Sequence, residues 1–208
     1  MAESLGQKVD PSWKAKAEDL ASAINRHFWN KQRGSYDYLI DAPHREERQE
    51  GLGLAFALLF GIADAAKAQQ IFESIYLTPH GIPCLWPTYE RYANRGELGR
   101  HSGPIWPQVS AAWALACTAR GRDDLAMREL RLLAEKACRD GEFIEVFHPE
   151  TGLPYGGLQE HPKTGQMQLY PICHRQSWCA SGYVAMVISC LLRTPLNDRE
   201  SIYRLLRL

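Results

Sequence analysis

Residues Pro104–Arg139 read PIWPQVSAAWALACTARGRDDLAMRELRLLAEKACR. From Val109 to Ala119 this stretch carries no charge. A helix that is apolar on every side is normally covered on every side. Pro107 suits the first turn of a helix, where its missing N–H has no intrahelical partner to lose. Gly121 stops the helix and Asp123 starts a second one of different character. There Ala126, Leu130, Leu133 and Ala137 form one stripe, and Asp124, Arg128, Arg131, Glu135 and Arg139 form the opposite one. An inner helix is thus followed, across a short turn, by an outer one.

The same alternation extends to both ends of the chain. Trp13, Ala17, Leu20, Ile24 and Phe28 give one helical stripe over Ser12–Gln32, with Pro11 and Ser12 as start signals and Gly34 as a stop. Glu46–Ile62 is a second inner helix, apolar all round from Leu52 to Ile62, and Ala65–Tyr76 is amphipathic. Gln176–Leu192 is inner again, and Asp198–Leu208 predicts a short final helix. Inner-to-outer links are short (Ala63–Asp64 and Arg120–Arg122). Outer-to-inner links are long: Arg33–Arg45, Leu77–Gly103 and Asp140–Arg175. Helical hairpins set in a ring produce this pattern, with every long loop on one face. Long loops in a compact domain usually carry function. Small β-hairpins are expected in two of them, at Ser35–Asp41 and Glu142–Phe147. The expectation is one all-α domain over residues 1–208, about three helical hairpins, which is half a toroid.

Composition narrows the class. Of 208 residues, 45% are hydrophobic and 23% charged, which excludes disordered and fibrous chains. Lys plus Arg and Asp plus Glu are both 24, so the net charge is zero. That argues against nucleic acid or an anionic membrane as the main partner. No apolar run is long enough to span a bilayer, and Met1–Pro11 lacks the apolar core of a leader. Six scattered cysteines without CxxC spacing suit free thiols in a reducing cytoplasm. His101, His148, His161 and His174 fall into no metal-ligand spacing. Gly156–Gly157 belongs to no phosphate-binding loop, so neither metal nor cofactor is expected.

The long loops concentrate Trp86, Tyr89, Tyr92, Trp106 and Tyr155. Flat rings beside carboxylates and amides suit a carbohydrate, although rings also pin loops down. Glu145 stands in EFIEVFHPETG between Phe143 and Phe147. In an extended run these three share a side. Partial desolvation there favours a raised pKa and a general base near neutral pH. The alternative is a structural carboxylate paired with Arg100 or Arg175. Glu50, near the start of an inner helix, is a second candidate, and helix N-termini also favour a purely structural Glu. Asp41 and Glu90 are weaker ones.

The runs GRHSGPIWPQVSAAWA, EFIEVFHPETGLPYGG and HRQSWCASGYVAMV, in that order, resemble the C-terminal half of six-hairpin (α/α)6-toroid glycosidases, such as trehalase-like, glycogen-debranching-like and processing α-glucosidase-like enzymes. The resemblance covers roughly Glu46 to Met186. It implies inverting hydrolysis of an α-glycoside, with one acid and one base, and puts Glu145 in the place of the base. Gly103, Pro104 and Trp106 match a GPxW element lining the sugar pocket, with Arg100 and His101 just before it. Gln176, Ser177 and Trp178 match the element opening the last inner helix. Together with the loop aromatics, the substrate-binding candidates are Trp86, Tyr89, Arg100, His101, Gly103, Trp106, Tyr155, Gln176 and Trp178, and Glu145 and Glu50 are the catalytic candidates. The chain departs from the family pattern in two respects. The Gly- and Asp-containing loop of the family's general acid is not found, nor is the N-terminal half of the ring. A second copy or a complementary half-domain chain is the expected partner, beside carbohydrate. A carbohydrate-binding or assembly domain without turnover is the alternative, or a sugar epimerase or isomerase using His101, His148 or His174.

Overall fold

The computed structural model describes Gly6 and residues 8–193. The charged faces belong to α1 (Ser12–His27), α3 (Ala65–Ser74) and α6 (Asp123–Asp140). The uncharged helices are α2 (Gly51–Leu59), α5 (Pro107–Ala119) and α7 (Ser177–Met186), the last continued by a π-helical turn at Val187–Leu191. A one-turn α4 (Glu90–Ala93) lies inside the second long loop. The expected helix at Asp198–Leu208 lies outside the described residues.

α5 is the centre of the molecule. α2 packs on one side of it, α7 on the other, and α6 behind it. Trp113, Ala114, Ala116 and Cys117 of α5 are wholly buried, and Trp113 meets Phe72 of α3 at 5.7 Å. The inner row is therefore α2–α5–α7, with α3 and α6 outside it. At its C-terminal end Arg120 donates from Nε and Nη2 to the Leu58 carbonyl (2.9 and 2.7 Å) and from Nη2 to that of Ala63 (3.0 Å). One guanidinium thus gives donors to a carbonyl in the last turn of α2 and to one in the turn that follows it.

The opposite face carries the loops, and here the expected boundaries shift. α1 stops at His27, not Gln32, because Trp29–Asn30 (β1) pairs with Ser35–Tyr36 (β2). Leu39–Asp41 (β3) pairs with His44–Glu46 (β4), so the single hairpin expected at Ser35–Asp41 is divided between two. α2 starts at Gly51, not Glu46, because Gln49–Glu50 (β5) pairs with Leu85–Trp86 (β6). The hairpin expected at Glu142–Phe147 reduces to bridges from Phe147 to Ile105 and Pro154 around the HPETG turn. A hairpin without a sequence forecast, Leu158–Glu160 (β7) with Met167–Leu169 (β8), follows it. α1 also buries less than its stripe implies. Ile24 and Phe28 reach the core, while Trp13 and Leu20 are exposed.

A run of backbone hydrogen bonds stitches the loops together across the tops of the inner helices. Gly51 N donates to Cys84 O, and Cys84 N to Pro104 O. Ile105 and Phe147 exchange both bonds, Glu145 N donates to Cys173 O, and Gln176 N donates to Phe143 O. The ladder starts at the N-terminus of α2 and ends at that of α7. A Cβ at Gly51 would stand 2.8 Å from the Pro83 carbonyl, so the first crossing requires glycine.

Candidate active site

The N-cap residue of each inner helix lies on this face: Glu50 on α2, Trp106 on α5 and Gln176 on α7. Glu50, His101 and Trp106 line one cavity with Tyr38, Cys84 and Gln108. His101 stacks on Trp106 with centroids 4.6 Å apart and planes 14° apart. An adjoining cavity of about 340 Å³ is lined by Tyr38, Tyr89, Arg91, Arg100, His101 and Leu158, among others. Tyr38, Leu85 and His101 line both cavities. Burial in its stack, and then the charge of Arg100, hold His101 below the ordinary histidine range.

Arg100 is the hub of the site. Its Nη2 donates to Glu145 Oε2 at 2.6 Å, and its Nη1 donates to the carbonyls of Gly156 (3.1 Å) and Pro171 (3.2 Å). Its own carbonyl accepts from Trp106 Nε1 at 2.8 Å, and the guanidinium lies over the rings of Trp106 and Tyr170. The chain crosses beneath it at Gly156–Gly157. A Cβ at Gly157, which has φ +78°, would stand 2.5 Å from Arg100 Cα. No L side chain fits that approach, which gives the Gly–Gly pair a role its sequence context did not reveal.

Glu145 is 7% exposed. Oε2 accepts from Arg100 and from Cys173 N (3.2 Å). Among the described residues Oε1 has no hydrogen-bond partner, and it is not sealed from solvent. Of the two arginines the sequence offered, Arg100 is the close ion pair, while Arg175 stands 3.8 Å from Glu142. One oxygen is held and the other is left open. Glu50 differs, since Oε1 accepts from Leu52 N and Oε2 from Gly53 N, so both oxygens serve the helix cap. Burial raises its proton affinity and the two amides oppose that.

The other predicted residues are distributed unevenly. Tyr89 lines the larger cavity, beneath the guanidinium of Arg48, which forks onto Glu90. Gly103, at φ +107°, shapes the turn into Trp106. Trp86 has one face stacked on Tyr76 at 4.5 Å. Tyr155 donates to Glu97 at 2.6 Å and accepts from Leu98 N, and burial followed by that carboxylate bond pushes its phenol up to about 12. Gln176 opens a separate depression with Glu142, Phe143 and Arg175. Trp178 is 55% exposed on the outer flank of α7. His148 accepts from Glu150 N and Thr151 N inside its turn, and His174 pairs with Glu142.

Three wall residues escaped the sequence reading. Gln108 follows Pro107 in the first turn of α5. Arg91 lies over Tyr89 and Tyr92. Tyr38 is held by its neighbour: Asp37 is buried, accepts from Arg45 Nε at 2.8 Å and from Asn30, and so fixes the first loop. A buried Asp flanked by tyrosines in SYDYL was the available signal.

Residues 1–165 match a family model described as the mannosylglycerate hydrolase MGH1-like glycoside hydrolase domain. A mannosylglycerate hydrolase of Rubrobacter radiotolerans is 30% identical over 168 residues, which are 75% of this chain and 36% of that protein. A neutral/alkaline invertase of Oryza sativa subsp. japonica is 24% identical over 88% of this chain and 32% of its own length. Two solved structures share the fold. One is an uncharacterised conserved protein from Thermus thermophilus (TM-score 0.61, 19% identity, covering 89% of this chain and 41% of that one). The other is a neutral trehalase from Saccharomyces cerevisiae (TM-score 0.58, 17% identity, 92% and 32%). The chain spans about a third of the length of the curated relatives it matches. The chain belongs to the MGH1-like glycoside hydrolase domain family, within the six-hairpin glycosidase superfamily.

Proposed function

We propose that this domain contributes the Glu145 side of an inverting α-glycosidase site, with Glu145 as the general base. The observation that carries the reading is the asymmetry of that carboxylate. Arg100 and the Cys173 amide fix Oε2, while Oε1 is open to a water molecule. Inverting hydrolysis places a second carboxyl about 6.5–9.5 Å away to protonate the leaving oxygen. Glu50 spends both oxygens on the α2 cap, so in this reading the acid comes from the remainder of the ring. The His101–Trp106 stack and Tyr89 are the sugar platform. Mannosylglycerate and trehalose, taken from the relatives' names, are the first substrates to try.

Calorimetric titration with these two glycosides, followed by reducing-sugar release, tests the reading. The expected result is saturable binding with hydrolysis near background for the chain alone. General acid or base help is worth about 10²–10⁴-fold in rate, and here the acid is missing. Any residual turnover should fall by that factor in Glu145→Gln while binding persists. Robust turnover that ignores this substitution would overturn the assignment. The engagement of Glu50 favours a second reading, binding without turnover. Binding with no hydrolysis even in a completed ring would select it.

A further inference from the structure

The chain uses one five-residue turn twice. HPETG spans His148–Gly152, and HPKTG spans His161–Gly165 at the tip of the β7–β8 hairpin. The two are built alike. Gly152 N donates to His148 O and Gly165 N to His161 O, both at 2.9 Å. His148 N donates to Leu153 O and His161 N to Gln166 O. Each threonine hydroxyl accepts from the amide two residues on. Each histidine turns Nδ1 inward as an acceptor. His161 takes Lys163 N at 3.3 Å, and His148 takes both Glu150 N (3.2 Å) and Thr151 N (3.4 Å). A ring nitrogen that accepts from an amide N–H carries no proton of its own. Both turns are therefore built for a neutral imidazole.

Their surroundings differ. Residues 162–165 are exposed, whereas Pro149 and Gly152 of the first turn are buried. A Cβ at Gly152 would stand 2.5 Å from His80 Nδ1, so the first turn is seated on that ring. The His148 ring meets Tyr155 edge-on at 5.2 Å. Tyr155 in turn closes a circuit around the candidate base. Its N donates to Val146 O at 3.2 Å, and its hydroxyl donates to Glu97 and accepts from Leu98 N. Two residues further on, Arg100 donates to Glu145 Oε2.

Protonation is the event this turn cannot absorb. A proton on Nδ1 faces two N–H donors, so both hydrogen bonds are lost together. The groups around His148 come from several segments. Burial opposes its charge most, Glu150 of its own turn and Glu97 beside Leu98 favour that charge, and His80 opposes it. Lys136 and Arg139 of α6 lie over the neighbouring Phe147, and the Tyr155 phenol adds no charge near neutrality. The balance holds His148 below the ordinary histidine range. It takes up its proton on the acid side of neutrality.

We propose that His148 is an acid-sensitive positioning residue: uncharged, it holds the HPETG turn shut, and on taking a proton it releases that turn and, through Tyr155, loosens the Arg100–Glu145 pair. The link to sugar rests on the reading of Glu145 as the base. The turn at His161 carries the same chemistry without that circuit, so it is the internal control.

The test is an NMR titration of the isotope-labelled full chain between about pH 8 and 5. It follows the His148 ring and the amides of Glu150, Thr151, Leu98 and Arg100. The expected result is one transition shared by the ring and all four amides. Protection of Glu150 and Thr151 from exchange, corrected for intrinsic rates, should drop about tenfold across it. His148→Asn keeps a side-chain oxygen for the same amides and has no proton to gain. It should remove the transition, and His161→Asn should leave it in place. Leu98 and Arg100 amides that ignore the His148 ring overturn the proposal, with or without the variants, and so does a transition that survives His148→Asn. Glycoside titration on either side of the transition separates this claim from the base assignment. Affinity that falls about tenfold on the acid side in the unsubstituted chain, and not in His148→Asn, ties the turn to the site. An equal fall in both, or none in either, cuts that tie. No binding at any pH removes the sugar-site reading, and the amide titration alone then decides the latch.

Discussion

α5 and α7 have nearly the same composition and different surroundings. Both are uncharged, both read as inner helices, and each turns a cysteine to a fully buried position, Cys117 and Cys179. α5 has α2 and α7 on either side and α6 behind, so its Trp113 is sealed. Among the described residues α7 packs on α5 and touches α6, and its Trp178 is exposed. All-round hydrophobicity therefore states what a helix requires around it, not what one chain supplies. The difference between the two tryptophans measures how unequally the described residues surround the two helices.

The sharpest way to break that comparison is to truncate both indole side chains. Trp113→Ala should cost about 3–5 kcal/mol, the usual range for emptying a filled aromatic site. Trp178→Ala should stay within about 0.5 kcal/mol. Urea denaturation of both variants checks this, and equal losses would mean that α7 is as enclosed as α5.

A smaller effect concerns the outer helix behind α5. Glu129 and Lys136 of α6 are buried. Glu129 accepts from Arg128 at 2.9 Å, and Lys136 donates to the His80 carbonyl at 2.7 Å. Burial pushes Glu129 up and Lys136 down to about 8. Removing one charge leaves the other buried, so Lys136→Met alone should cost about 2–3 kcal/mol, and Glu129→Gln with Lys136→Met clearly less. A thermal-melt double-mutant cycle reads the coupling, and simple additivity would show that the two charges do not communicate.

The third effect depends on pH and treats the two inner helices alike, since it reads only their packed faces. Burial pushes the thiols of Cys84 and Cys179 up to about 12, and that of Cys117 upward as well. An acid whose folded pKa is raised loses stability as pH climbs past its unfolded value, about 9 for a thiol. Lys136 acts in the opposite sense over the same range, since its folded form gives up its proton first. Three thiols outweigh one lysine, so stability should fall by about 2–3 kcal/mol per pH unit between pH 9 and 10. Denaturant midpoints at the two pH values measure it. Cys117→Ala and Cys179→Ala should each flatten the slope by a similar amount.

The helices and their alternation were legible because charge and its absence are local signals. The segment from Val109 to Ala119 declares its burial without help from the rest of the chain. The ends of α1 and α2 were not legible. Glu50 sits in a strand because Leu85 is there to pair with it, and no window around Glu50 contains Leu85. For the site, Glu145 stood out by its aromatic flanks, and its pairing partner was narrowed to two arginines. Arg100 lies 45 residues away, so the choice between them needed the fold. Glu129 and Lys136 fell in neither stripe of their helix, and burial of both could not be read from periodicity.

The ladder across the loop face also sets an order of assembly. Each helix closes its own backbone hydrogen bonds between residues four apart, whereas Cys84 with Pro104, Ile105 with Phe147, and Glu145 with Cys173 join distant segments. Closing long loops costs entropy before the contacts form, so local structure precedes distant pairing. The helices therefore fold first and the loop face zips last. By the same route in reverse, the loop face opens first in the native state, and its amides exchange with solvent well before those of α5. The part of the molecule that would touch sugar is thus the part whose order a bound sugar can most increase.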